Sequence, residues 1–153
     1  MTLMEILSGN SVIVDLKGET KEEVLEELVE AVDESRIADR QKVLDAVLQR
    51  EEIMSTGIGH GIAIPHGKSD YVKELGGVLG IKPNGIDFDS LDGKDTYIFF
   101  LLVSPMGVSG PHIKALARIS RLLKRESFRQ ELISAKDSES VITIIEEEEK
   151  QQA

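Results

Sequence analysis

The apolar positions of this chain switch repeatedly between helical and strand-like spacing. Val24, Leu28, Val29 and Val32 fall on one face of a helix whose opposite face carries Glu22, Glu26 and Glu30. Thr20 and Glu23 ahead of it have the spacing of a capping box, with Thr20 at the N-cap. Asp39 caps a second helix that runs to about Glu52. At about 100° per residue, Val43, Val47 and Met54 share a narrow stripe of that helix, and Arg50 falls inside it. A third helix opens at Pro111, a residue suited to the first helical position, and sets His112, Leu116, Ile119 and Leu123 on one stripe. Phe128 and Leu132 mark a short amphipathic helix.

The strand signals lie between these. Val12-Ile13-Val14 and Ile62-Ala63-Ile64 are short apolar runs, and Leu75 to Ile81 is a glycine-rich strand closed by a turn at Pro83-Asn84-Gly85. Ile86-Asp87-Phe88 alternates like an edge segment, and Leu91-Asp92-Gly93-Lys94 reads as another turn. Thr96 to Val103 is continuously apolar and rich in β-branched and aromatic residues, the pattern of a central strand buried on both faces. Val141 to Ile145 reads both ways: its β-branched residues favour a strand, whereas Ser138 as a cap and the trailing glutamates favour a helix, the reading adopted. Residues 146–153 then read as a frayed acidic tail. Strands alternating with helices, with no repeat and no linker, predict one layered α/β domain over residues 1–153.

Composition narrows the function. The chain has 153 residues, enough for a sizeable core, and its formal charge of -10 argues against nucleic acid or an anionic membrane as the main partner. It has no cysteine, hence no disulfide, thiolate nucleophile or cysteine metal site. Its longest apolar run, Tyr97 to Val103, is too short to span a bilayer, and the first residues lack a basic-then-apolar signal pattern, so the expected compartment is cytoplasmic.

The chemistry centres on Gly57-Ile58-Gly59-His60-Gly61-Ile62-Ala63-Ile64-Pro65-His66-Gly67-Lys68. Alternate glycines let the backbone turn and leave room for another molecule. An apolar run leads to Pro65, which sets its own φ and sends the chain out of the strand in a fixed direction; Gly67 leaves the imidazole of His66 uncrowded. The spacing is not G-x-G-x-x-G, and it follows a helix. Gly67-Lys68-Ser69 resembles the end of a phosphate loop, but Ile62 stands where that loop needs glycine. Nucleotide binding therefore has little support. Arg50 on its apolar stripe has two readings: it snorkels or pairs with a carboxylate, or its planar fork faces a cleft and awaits an anion such as phosphate. His112 likewise is a core histidine satisfied by a carbonyl, or a site residue at a helix start, where unpaired N–H groups favour anions. Taken together, the three suggest a neutral imidazole nucleophile with cationic groups around it, which suits phosphoryl transfer. The net negative charge is no obstacle, because screening confines exposed charges to about 8 Å at physiological salt.

The string Ser55 to Lys68, with Arg50-Glu51 ahead of it, Leu91 to Lys94 and His112 to Leu123, resembles the type-2 enzyme IIA domains of the phosphoenolpyruvate-dependent sugar phosphotransferase system. That group covers the fructose and mannitol types and the nitrogen-regulatory IIA proteins. The resemblance implies a mixed β-sheet flanked by helices and a phosphotransferase component working through phosphohistidine, with no cofactor and no metal. His66 matches the phosphorylated histidine, modified at the ring nitrogen far from the backbone. His112 matches the second active-site histidine, Arg50 the active-site arginine and Thr56 a residue supporting the phosphate site. The implied donor is the phosphorylated carrier HPr, and the implied acceptor is a cysteine of a IIB domain, for uptake of a fructose-type sugar. A membrane enters only through a IIC component. The alternative within the group is a regulatory protein whose His66 phosphorylation state controls partner binding. A three-histidine zinc hydrolase using His60, His66 and His112 is a remote alternative: no His-Glu-x-x-His motif is present, and Arg50 would repel the cation.

Overall fold

The computed structural model describes residues 2–152, with side-chain detail except at residues 8–10. Its elements run α1 (Leu3–Ile6), β1 (Leu7–Ile13), α2 (Lys21–Glu30), a 3₁₀ turn (Glu34–Arg36), α3 (Arg40–Ile53), β2 (Gly57–Gly59), β3 (Ile62–Ala63), β4 (His66–Lys68), β5 (Gly76–Ile86), β6 (Thr96–Ser104), α4 (Ser109–Leu122), α5 (Glu126–Ser134) and α6 (Ser138–Gln151). The strand order is β1-β5-β6-β3-β2, with β4 also on β6. The sheet is mixed: β5 lies antiparallel to β6, while β1 on β5 and both β3 and β4 on β6 are parallel.

β6 is the centre, as its unbroken apolar run predicts. Its Ile98, Phe100 and Leu102 join a core with α1, α4, α5 and α6, while Phe99, Leu101 and Val103 join a second core with α2 and α3. Alternate side chains thus bury opposite faces of one sheet, giving a helix–sheet–helix sandwich. The caps are as read: the Thr20 hydroxyl accepts from Glu23 N–H at 3.2 Å and Asp39 from Lys42 N–H at 3.2 Å. The reciprocal arm of the capping box lands one residue early, with Glu23 accepting from Glu19 N–H.

Several expectations are corrected. Residues 146–151 are not a frayed tail; they complete α6, and Glu148 and Glu149 are buried. Glu149 pairs with Arg118 at 2.9 Å and accepts from the Leu3 N–H, and Glu148 pairs with Arg125 at 3.1 Å, so tertiary cations neutralise this part of the acidic run. Pro83-Asn84-Gly85 does not end a strand. β5 runs through it with a slip in register, and Gly85 takes the positive φ of 72° that the excursion needs. Phe88 is a core residue packed edge-on to Phe99, not part of an edge strand. The helix α4 begins at Ser109, two residues before Pro111. Met54 is exposed because α3 stops at Ile53 and carries it off the buried stripe.

Candidate active site

β3 and β4 are two halves of one strand line. Ile62 pairs with Ile98 and His66 with Leu102 at the same offset along β6, so the chain keeps its register across Ile64-Pro65. Pro65 removes one donor, yet its carbonyl still accepts from Leu102 N–H at 2.9 Å; the strand is interrupted and not redirected as expected. The period of 2 then sets His66 and Lys68 on one face and Gly67 on the other.

Gly67 has a different role from the one expected. A Cβ there would lie 3.1 Å from Val47 Cγ2 and 3.2 Å from the Val47 nitrogen, so the missing side chain lets β4 lie against the backbone of α3. That contact brings the last turn of α3, with Arg50, to His66. The glycines before it serve the chain and not a ligand. Gly59, His60 and Gly61 all have positive φ and form the tight β2–β3 hairpin, and Gly57 lies against Ser90.

The three expected residues share one hollow of about 510 Å³, lined by Arg50 and Ile53 of α3, His66 and Lys68 of β4, Met106, and His112 of α4 among others. The rings of His66 and His112 are 5.6 Å apart between centroids and inclined at 61°. His66 Nδ1 lies 2.9 Å from the Ile64 carbonyl, which can only accept, so Nδ1 carries the proton and Nε2 keeps a free lone pair on a ring that lines the hollow. His112 is 4% exposed, and its Nδ1 meets the buried Ser104 hydroxyl at 2.6 Å, not a backbone carbonyl. Arg50 donates to the Met54 carbonyl at 2.7 Å, closing the end of α3. Among the described residues its guanidinium has no other hydrogen-bond or ion-pair partner, and none is a carboxylate.

Burial holds the His66 pKa below its ordinary value. The Ile64 bond and the Glu51 carboxylate oppose this, and Arg50 and Lys68 reinforce it. Burial, with help from His66 and Lys68, pushes His112 down to about 4. Both rings are therefore neutral at pH 7. Among the described residues no acidic one lines the hollow, in a chain of net charge -10.

Sequence reasoning missed two residues here. Lys68, whose Nζ donates to Ser109 at 3.2 Å, is the alternate neighbour of His66 and could have been found by continuing the strand past Pro65. Ser104 is the last residue of β6, and nothing in its spacing announces its bond to His112. Thr56 is placed differently from expectation: it does not line the hollow, and its side chain and N–H are both taken by the Glu51 carboxylate. His60 lines another hollow with Asp92 and Tyr97, beyond the start of the β3–β6 pairing. The step from Ile98 to Leu102 alone separates the two ends by about 13 Å. The three histidines of the zinc alternative do not converge.

A family model described as "Phosphoenolpyruvate-dependent sugar phosphotransferase system, EIIA 2" matches residues 5–148, and the chain belongs to that family. It is 36% identical over 151 residues to the "PTS system fructose-specific EIIABC component" of Bacillus subtilis, covering 98% of this chain but only 24% of that protein. It is 32% identical to a "Nitrogen regulatory protein" of Bradyrhizobium diazoefficiens, covering 95% of each. The crystal structure of the nitrogen regulatory protein IIA-Ntr of Neisseria meningitidis superposes with a TM-score of 0.86 at 28% identity, over 92% of this chain and 97% of that one. The mannitol IIA of Escherichia coli, solved with phosphorylated enzyme IIB, shares the fold with a TM-score of 0.78 at 21% identity, over 91% of this chain and 96% of that one. Among the described residues no helix is long and apolar enough to cross a membrane.

Proposed function

We propose that this protein is a phosphoryl carrier whose acceptor atom is Nε2 of His66. The observation that carries the reading is a proton fixed on Nδ1 by the Ile64 carbonyl, which leaves the Nε2 lone pair free, on a ring that lines an acid-free hollow together with Arg50, Lys68 and His112. A phosphorylated HPr-type carrier presents its phosphohistidine. The Nε2 lone pair forms the new N–P bond while the donor's N–P bond breaks, its electron pair returning to the donor ring. The Nδ1 proton stays on His66, bonded to Ile64, and stabilises the positive ring that develops. Arg50 and Lys68 face the equatorial oxygens, where they offset the charge of the transferring group. A Ser104 hydroxyl donating to Nδ1 of His112 leaves the proton of that ring on Nε2, the tautomer that donates to a phosphoryl oxygen. The acceptor is the cysteine of a IIB domain, in keeping with the mannitol IIA–IIB complex. Thr56 supports the site through Glu51 and not by touching phosphate.

The test is incubation with phosphoenolpyruvate, enzyme I and HPr, followed by mass spectrometry. One acid-labile, base-stable phosphoryl group is expected, absent from folded His66→Ala. Retention of the group in that variant overturns the reading.

A fructose-type sugar is the transport reading, favoured by the 36% identity to the fructose-specific relative. The higher overlap with IIA-Ntr favours a second reading, in which the phosphorylation state of His66 controls binding to another protein. Transfer from the phosphorylated protein to a purified fructose IIB domain decides between them: rapid transfer supports transport, and no transfer supports regulation.

A further inference from the structure

We infer that Glu51 is a positioning residue for His66, selecting its tautomer by diverting the backbone amide of Thr56 away from the Ile64 carbonyl. The inference rests on the carrier reading of His66 and adds to it a residue that neither touches the phosphoryl group nor lines its hollow.

The argument begins with the ladder. β2 and β3 are antiparallel, with Gly57 opposite Ala63. One residue further, Thr56 stands opposite Ile64, and the Ile64 N–H donates to the Thr56 carbonyl at 3.0 Å. In an antiparallel ladder such a pair exchanges two bonds, so the Thr56 N–H is due to donate to the Ile64 carbonyl. It does not. It donates to the two carboxylate oxygens of Glu51 at 3.2 Å and 3.0 Å. The Ile64 carbonyl is left to the imidazole, and His66 Nδ1 takes it at 2.9 Å.

Glu51 is built to hold that amide. It is 6% exposed on the last turn of α3 and accepts from the Thr56 hydroxyl as well as from its N–H. Lys21 of α2 pairs with it at 2.7 Å and lies 3.7 Å from the exposed Asp89, so the buried charge is balanced. A buried carboxylate with three donors on it does not release one readily. The neighbouring Arg50 projects to the hollow, so two adjacent residues of one helix turn serve opposite ends of the same ring. The negative charge of Glu51 also favours the positive ring that forms as His66 takes up phosphate.

The test uses Glu51→Gln and Glu51→Ala together with Thr56→Val, read by nitrogen-15 chemical shifts of the His66 ring and by rates of phosphorylation from phospho-HPr. Wild-type protein is expected to show the proton on Nδ1. Glu51→Gln is expected to raise the Nε2–H population and slow phosphorylation about tenfold, because the wrong tautomer presents no lone pair to the hollow. Glu51→Ala, which removes the acceptor altogether, is expected to move both readouts the same way and further, whereas Thr56→Val keeps the backbone N–H on Glu51 and is expected to leave the tautomer near wild type. Wild-type tautomer and rate in folded Glu51→Gln overturn the inference. Should Glu51→Gln not fold, wild-type tautomer and rate in folded Glu51→Ala do so instead, as does a shift of the tautomer in Thr56→Val as large as that in the Glu51 variants. Failure of wild-type protein to take up phosphate at His66 overturns the carrier reading alone, because the ring shifts report the tautomer without any transfer.

Discussion

Gly67 and Val47 meet so closely that a methyl group on the glycine would touch the helix backbone: the added Cβ lies 3.1 Å from Val47 Cγ2, 3.2 Å from the Val47 nitrogen and 3.3 Å from the Ala46 carbonyl carbon. Two of those atoms belong to the main chain of α3 and cannot swing aside. Gly67→Ala should therefore push β4 off α3 and separate Arg50 from His66. We expect a loss of about 1 kcal/mol, overpacking outweighing the entropy gained in the unfolded chain. A larger fractional loss in transfer rate should accompany it. Urea unfolding alongside transfer kinetics checks both.

Arg50 should matter for transfer and little for stability. It sits at a helix end, partly exposed, with one bond to the Met54 carbonyl. Arg50→Met is expected to slow phosphoryl uptake about a hundredfold, the scale of losing one preorganised charge at the transferring group, while shifting the unfolding midpoint only slightly. An equal loss of folding would make Arg50 a structural residue.

Ser104→Ala tests the orientation of His112. The variant leaves Nδ1 of a buried ring without its partner at 2.6 Å. A cost of about 1–2 kcal/mol is expected from the unsatisfied nitrogen, together with slower transfer. Calorimetry and single-turnover kinetics separate the two effects.

Acid should weaken the fold through the histidines. Both have folded pKa values below the ordinary 6.5, His112 at about 4. The unfolded chain then binds protons that the folded chain refuses, so stability is held above about pH 6.5 and lost as pH falls towards 4. Thermal unfolding across that window should show a falling midpoint, with a shallower slope in His112→Gln than in wild type.

Much of this was written in local pattern. His66, Arg50 and His112 each announced themselves by a polar side chain where the neighbours are apolar, or by the proline and glycine around it, and the central strand was evident from one unbroken run. What escaped depends on partners far along the chain. Glu148 and Glu149 look solvated until Arg118 and Arg125, more than twenty residues earlier, are folded against them. Ser104 gains its meaning from a ring eight residues on, and Glu51 from a ladder position that no periodicity marks. Burial pattern is legible in one dimension, whereas the pairing of charges and the diversion of single hydrogen bonds are set by the third.

The arginines and lysines of α4 and of the turn after it have one more consequence. Between Ser109 and Arg125 the chain carries five basic residues and no acidic one, against a molecular total of -10. Glu149 and Glu148 neutralise Arg118 and Arg125, which leaves Lys114, Arg121 and Lys124 as a positive patch along and just after the helix that carries His112. An incoming anionic surface is turned to face the right way while still a Debye length off, and raising the salt should blunt that aim before it disturbs a single contact.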